Sequence, residues 1–364
     1  MHHPAKTQHR YLSISARNLS KDRLTVYLST YQLLLNLSMS AKTLNPRDPV
    51  PQISAKDLVS RDWLWRGWQT RYTFKRPAIN AINTEVNNDR PDRPDRPLPI
   101  LLIHGFGAAI GQWRYNIPVL SQKHAVYALD LVGFGGSEKP PTRYVTNLWV
   151  EQVYDFWRTF INQPMILVGN SIGSLVALIA ASQHPEMAAG LVTISLPDVA
   201  VRTEMIPKPV RPIVQAMEKL FSAPVLLKPI FYFVRQPKVI KPWAGVAYGD
   251  PNVVDDELVD IIATPAQERK AAEAFCRIAR GVMESDYAPN VARAIAGLQI
   301  PFLILWGTKD RMIPPQEGRR LVKFSTHAQL IELEGLGHCA HDEDPKTVNQ
   351  EILNWIKNQY HNQA

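Results

Sequence analysis

The stretch ILVGNSIGSLVALIAA, residues 166–181, admits few folds. Ile166, Leu167 and Val168 are strand-forming and lack polar alternation, the pattern of a strand buried on both faces. Leu175 to Ala181 is rich in alanine and leucine and reads as a helix that stops before Pro185. Between the two, Gly169, Ser171 and Gly173 confine the reversal to a few residues. A strand that turns this sharply into a helix leaves no room for side chains beside the turn, and glycine removes them. Such a turn lifts the Ser171 hydroxyl above the sheet edge. It also leaves the N–H of Ile172 at a helix N-terminus, aimed at developing negative charge. The plain alternative is a serine that only caps the helix.

The rest of the chain extends this unit into a layered α/β arrangement. From Pro99 onward, short apolar strands alternate with helical stretches: Ile100–Ile103, Val126–Leu129, Met165–Val168, Leu191–Ile194, Phe302–Leu305 and Gln329–Leu333. The alternation predicts a mostly parallel central sheet flanked by helices on both faces. Residues 61–197 and 297–364 form this core. Residues 198–296 lack the rhythm, are rich in proline and read as a helical lid inserted between two strands. WLWRGWQTRYTF (63–74) reads as one opening strand, and NNDRPDRPDRP (87–97) as a solvated, proline-broken loop. In the closing segment Asp344 is the N-cap, Pro345 the first helical residue, and Val348, Ile352, Trp355 and Ile356 the buried face. At 364 residues and 45% hydrophobic content the chain can bury one large core.

Residues 1–60 are an extension. Within it Leu24–Ala41 is uncharged for eighteen residues, but polar residues keep it from reading as a membrane span. Leu24, Tyr27, Leu28, Tyr31, Leu34 and Leu35 repeat at helical spacing, opposite Thr25, Ser29, Gln32 and Asn36. This amphipathic helix packs either on its own domain or on a membrane interface. A cleavable signal is disfavoured by the long charged stretch before the apolar part. The net charge of +8 favours anionic partners, but no nucleic-acid-binding signature accompanies it. Cys276 and Cys339 are the only cysteines, without CxxC spacing, which indicates neither a disulfide framework nor a zinc knuckle and fits a reducing compartment.

A serine hydroxyl is a weak nucleophile until a histidine takes its proton, and a carboxylate must hold that histidine. Asp310, in GTKDRMIPP, follows the strand PFLILWG; His338, in GLGHCAHDEDP, follows the strand QLIELEG. Both fall in loops at strand C-terminal ends, in the chain order serine, acid, histidine. Asp198, in ISLPD, is the reserve acid. The turn after ILLI, HGFGAAIG, places the Phe106 N–H as a second donor beside that of Ile172. Its glycines space as G-x-G-x-x-x-G, without G-K-[ST], which argues against nucleotide binding. His338, His341, Asp342 and Glu343 invite a metal reading, but the flanking glycines and Pro345 favour a loop in which His341 orients its neighbours. No metal and no cofactor is expected.

With these residues placed, the chain resembles the α/β-hydrolases over about residues 63–360, through HGFG, LDLVGFGGSEKP, GNSIGS, LWGTKDRMIP and GHCAHDE. Within them it resembles the pheophytinase and chlorophyll dephytylase branch, through GNSIGS, VVDDELVDIIATP and GHCAHDEDPKTVN, although that branch's G-N-S-L-G-G stands here as GNSIGS. The resemblance implies an α/β-hydrolase fold with Ser171 as nucleophile, Asp310 as orienting acid, His338 as base, and Phe106 and Ile172 as oxyanion donors. It also implies hydrolysis of the phytyl ester of a chlorophyll-type pigment. In the lid, LFSAPVLLKPIFYFV (220–234) supplies leucine and aromatic surface suited to such a pigment ester or another long-chain ester, with Phe231 and Phe233, and Trp113 of the core, as candidate substrate-binding residues; the plain alternative is that the lid residues pack it on the core. The location implied is cytoplasmic or peripheral on the photosynthetic membrane. The alternatives are a carboxylesterase, lipase or carbon–carbon hydrolase using the same site, or a non-catalytic hydrolase-fold binding protein. Serine at the turn disfavours chemistries that need a carboxylate nucleophile there. Finally, Lys208 to Lys241 holds seven basic residues against one acid, Glu218, among apolar residues, which suits contact with an anionic membrane.

Overall fold

The structure is a computed structural model; it describes residues 54–77, 97–198, 224–284 and 286–360. The Leu24–Ala41 helix, most of the 87–97 loop and the first part of the inserted segment, including Lys208, Arg211, Glu218 and Lys219, lie outside the described residues.

Among the described residues eight strands form one sheet: β1 (Ser60–Trp65), β2 (Trp68–Lys75), β3 (Ile100–Ile103), β4 (Val126–Leu129), β5 (Met165–Asn170), β6 (Ala188–Ile194), β7 (Phe302–Gly307) and β8 (Ala328–Leu333). The spatial order is β1-β2-β4-β3-β5-β6-β7-β8. β3 to β8 run parallel, and β1 and β2 form an antiparallel edge. The main helices are α1 (Thr146–Phe160), α2 (Ile172–Gln183), α3 (Pro224–Val234), α4 (Pro237–Val246), α5 (Asp256–Ala266), α6 (Ala271–Val282), α7 (Val291–Gly297), α8 (Gln316–Leu321) and α9 (Pro345–Tyr360).

The single opening strand expected at 63–74 is instead the β1–β2 hairpin. Arg66 (φ 53°) and Gly67 (φ 82°) both take the left-handed conformation of a two-residue hairpin turn, and Trp65 faces Trp68 across it. Arg66 lacks the usual asparagine or glycine signal for such a turn. Its guanidinium is held over the Trp65 ring at 4.6 Å and by Glu151 at 2.7 Å.

Both faces of the sheet are buried, and strand residues alternate between them with period two. Leu101, Ile103, Met165, Leu167, Phe302 and Ile304 join the core under α1, α2 and α7. Ile100, Leu102, Ile166, Val168, Leu303 and Leu305 join the opposite core with α9. As the spacing implies, α9 buries Val348, Ile352, Trp355 and Ile356, each aliphatic one contributing about 2 kcal/mol. It starts where Asp344 accepts the N–H of Thr347 at 3.1 Å and the Thr347 hydroxyl at 2.6 Å. α2 is buried from Ile172 to Ala181, so it is wrapped by protein on all sides.

Between β6 and β7 the chain builds α3 to α7. α5 is N-capped by Asp255, whose carboxylate accepts the Leu258 N–H at 2.7 Å. Cys276 and Cys339 are both buried free thiols. Among the described residues no helix is long and apolar enough to cross a membrane.

Candidate active site

The turn between β5 and α2 is as cramped as its glycines suggest. Ser171 has φ 53° and ψ −120°, a conformation that strains any residue with a side chain. A Cβ on Gly173 would lie 2.2 Å from the carbonyl oxygen of Ile103, and one on Gly169 would lie 2.3 Å from that of Gly173. The backbones of β3, β5 and α2 thus touch through positions that tolerate only hydrogen. Ser171 makes no side-chain cap bond to α2, so helix capping does not occupy its hydroxyl. Ser174 fastens the turn by donating to the Gly169 carbonyl at 2.7 Å and accepting the Ile194 N–H at 3.0 Å.

Asp310 and His338, from the loops after β7 and β8, meet as their positions imply. His338 Nδ1 lies 2.9 Å from Asp310 Oδ2, and both side chains are buried. Asp310 Oδ1 accepts the N–H groups of Met312 and Ile313 at 2.8 and 2.9 Å. Burial alone would raise the Asp310 pKa, but the His338 hydrogen bond and the Ile313 N–H hold it below the usual carboxylate value. Asp310 therefore stays ionised and fixes Nδ1 of His338 as the protonated nitrogen, leaving Nε2 with a lone pair. The reserve acid Asp198 is engaged elsewhere, in an ion pair with Arg320 at 2.6 Å.

Asn170, next to Ser171, donates from Nδ2 to the His338 carbonyl at 2.9 Å. One side chain thus ties the serine turn to the histidine loop. Neither Asn170 nor the buried pair His104 and Asp130 was singled out by the sequence motifs, although all three sit inside them. His104 Nε2 accepts the Leu131 N–H at 3.0 Å while Nδ1 lies 2.7 Å from the Gly105 carbonyl, a neutral tautomer that burial favours by lowering its pKa. Asp130 accepts the N–H groups of Ile110 and Gly136, each at 2.7 Å. Together they brace the turn that carries Phe106. The Phe106 ring is half exposed and packs edge-on against Phe134 at 5.5 Å and Phe275 of α6 at 6.3 Å. Ile172, the first residue of α2, has an N–H with no intrahelical acceptor.

Three expectations need correction. Trp113 is fully buried against His341, ring centroids 4.1 Å apart, and presents no surface to a substrate. Phe231 is also buried, packed on Ala271, Ala272 and Phe275, whereas Phe233 is exposed. His341 does not orient the loop through its ring: neither ring nitrogen has a hydrogen-bond partner, and burial lowers its pKa to about 3. Its backbone carbonyl does the anchoring, accepting from Asn116 at 3.1 Å. Among the described residues no cluster of three or more His, Cys, Asp or Glu could hold a metal ion.

The inserted segment is stitched to the histidine loop by Glu343. Its Oε2 accepts the N–H groups of Gly337 (2.7 Å) and Gly249 (3.0 Å), and its Oε1 accepts that of Asp250 (2.8 Å). The Cys339 N–H adds a bond to the Ala247 carbonyl at 3.2 Å. Asp342 joins the same seam, accepting from Arg114 at 2.6 Å and from the Tyr248 hydroxyl at 2.7 Å.

A family model described as alpha/beta hydrolase fold matches residues 99–345. An uncharacterized hydrolase, YugF, of Bacillus subtilis is 28% identical over 71% of this chain and 89% of its own. The chloroplastic pheophytinase of Arabidopsis thaliana is 26% identical over 71% of this chain and 61% of its own. Among solved structures, a serine hydrolase involved in carbazole degradation superimposes with a TM-score of 0.65 at 20% identity, covering 82% of this chain and 99% of that one.

Two measurements check the local physics. Ser171→Gly relieves the strained backbone whereas Ser171→Ala keeps it, so the glycine variant is expected to be more stable by about 1 kcal/mol in denaturant unfolding. His341 is held neutral in the fold but protonates below about pH 6.5 when unfolded, so stability is full above that pH and falls as pH drops toward about 3. Relative to His341→Leu, the parent is expected to lose about 2 kcal/mol more between pH 7 and pH 5. Parallel pH profiles for the two proteins would refute the assignment.

Proposed function

The chain belongs to the α/β-hydrolase fold family, and on that premise we propose that it is a serine hydrolase acting on carboxylic esters through an acyl-enzyme. The observation that carries this reading is the ionised Asp310 holding His338 Nδ1 at 2.9 Å, in one site with a serine strained at φ 53°.

In this mechanism His338 Nε2 takes the Ser171 proton as the hydroxyl oxygen attacks the ester carbonyl. Negative charge developing on the carbonyl oxygen is received by the N–H groups of Phe106 and Ile172. The tetrahedral intermediate collapses, the bond to the alcohol oxygen breaks, and the His338 imidazolium returns its proton to the leaving alcohol. Water, deprotonated by His338, then attacks the acyl-enzyme and releases the acid. Asp310 supplies the negative charge beside the imidazolium and remains ionised throughout.

For the substrate we propose a long-chain ester, the phytyl ester of a chlorophyll-type pigment in particular. The likeness to pheophytinase supports that choice, as does the inserted segment's apolar surface, in which exposed Phe233 stands beside Tyr232. In this reading the segment between β6 and β7 acts as the lid that selects the alcohol chain.

The test combines labelling and turnover. A fluorophosphonate is expected to label the protein at Ser171 and to miss Ser171→Ala. On chlorophyll, pheophytin, a triglyceride and a short nitrophenyl ester, the two pigments are expected to react and to release phytol. Ser171→Ala and His338→Ala are each expected to lower turnover by at least about a thousandfold with the fold intact, without adding when combined. Asp310→Asn is expected to lower it by about a hundredfold or more, because the imidazole is then held in the wrong tautomer. Turnover of the nitrophenyl ester alone would retain the esterase and discard the pigment. Absence of labelling would remove the esterase reading itself.

A further inference from the structure

The helices α3 and α4 bury little of their apolar content. At 3.6 residues per turn, Leu227, Phe231 and Val234 make the one packed stripe of α3, with Phe231 against Phe275 at a ring distance of 4.9 Å. Around the rest of the helix stand Val225 (77% exposed), Leu226, Pro229, Ile230 and Phe233 (61% exposed). α4 repeats the arrangement: Ile240 is buried, while Trp243 (68% exposed) and Val246 face outward. A monomeric chain rarely leaves so many large apolar side chains in water on adjoining helices.

Charge indicates what covers them. No Asp or Glu occurs from Pro224 to Val246, and Lys228, Arg235, Lys238 and Lys241 do. Lys228, Tyr232 and Arg235 share one flank of the exposed sector of α3, and the Arg235 guanidinium lies over the Tyr232 ring at 4.5 Å. Lys241 is paired at the surface with Asp256, at 2.7 Å. Lys228 and Lys238 have no acidic partner among the described residues. A second copy laid on this face would set cations against cations. The chain's own Leu24–Ala41 stretch, uncharged and bracketed by Arg23 and Lys42, offers no anion either.

We propose that the exposed face of α3 and α4 rests on an anionic lipid bilayer. Val225, Leu226, Ile230, Phe233, Trp243 and Val246 enter the acyl boundary, and the cations lie at the level of the phosphates. On its packed side α3 reaches toward the site, since Phe231 lies against Phe275 and Phe275 against Phe106 in the turn after β3. Binding to lipid is separable from the esterase reading, since it needs no turnover.

The experiment is sedimentation of the full chain with vesicles of phosphatidylcholine containing phosphatidylglycerol, beside vesicles of phosphatidylcholine alone. Binding is expected only to the anionic vesicles. It is expected to weaken steeply as salt rises from about 0.01 M to about 1 M and the screening length falls from about 30 Å to about 3 Å. Lys228→Gln with Lys238→Gln is expected to weaken binding about twenty-fivefold, about fivefold per charge. Trp243→Ser is expected to weaken it as well and to remove fluorescence quenching by brominated acyl chains. These positions are exposed, so each variant is expected to melt with the parent and to hydrolyse a soluble ester at the parent's rate. Four results would overturn the proposal: no binding at low salt, equal binding to neutral vesicles, undiminished binding in the double lysine variant, or a lipid-free dimer abolished by Trp243→Ser.

Discussion

Between Gly173 and the carbonyl oxygen of Ile103 there is space for a hydrogen atom and nothing larger. That contact brings α2 down onto the strands β3 and β5, and the rest of the site depends on it. With α2 seated there, its first N–H lies at the end of β5, Ser171 is forced to φ 53°, and the Ser174 hydroxyl reaches the carbonyls of Gly169 and Ile194. A methyl group at either flanking glycine would push the helix from the sheet. The cost of the strained serine is met by the burial of α2 on all sides, from Ile172 to Ala181.

The carboxyl edge of the parallel sheet then acts as a ruler. β3, β5, β7 and β8 deliver Phe106, Ser171, Asp310 and His338 from segments far apart in sequence. Side chains that do not themselves touch a reacting atom fix the loops: Asn170 to the His338 carbonyl, Asp130 to two N–H groups, and His104 between Leu131 and Gly105. These buried polar groups are nearly all satisfied, which lets the loops be rigid without being covered by regular structure.

Much of this was legible in the sequence because it rests on backbone constraints that leave a residue signature. Apolar runs with the right breaks located six strands, and the turn glycines, Asp344 and Pro345 marked sharp reversals and caps. Asp310 and His338 could be paired because a parallel sheet sends every strand's C-terminal loop to the same edge. What escaped had no such signature. The hairpin turn at Arg66–Gly67 is stabilised by a tryptophan face and Glu151 rather than by a turn-forming residue. An aromatic residue suits a core as well as a substrate surface, and only the packing shows that Trp113 and Phe231 are buried while Phe233 is not. Asp198 occupies a loop equivalent to that of Asp310, and the choice between them is made by Arg320, more than a hundred residues downstream.

Glu343 gives the inserted segment a particular kind of modularity. Its carboxylate receives one N–H from the histidine loop and two from Gly249 and Asp250, so the joint is made of backbone on one side and a single anion on the other. Any segment exchanged into this position keeps the Glu343 joint if it presents two adjacent amide protons at that spot, and keeps the Asp342 bond if a hydroxyl stands where Tyr248 does. Gly337 and Gly249 must stay bare for the two loops to approach, since a Cβ on Gly249 would fall 2.2 Å from the Gly335 carbonyl oxygen. The inserted segment is therefore plugged in through a socket that reads its backbone at Gly249 and Asp250 and a single hydroxyl at Tyr248.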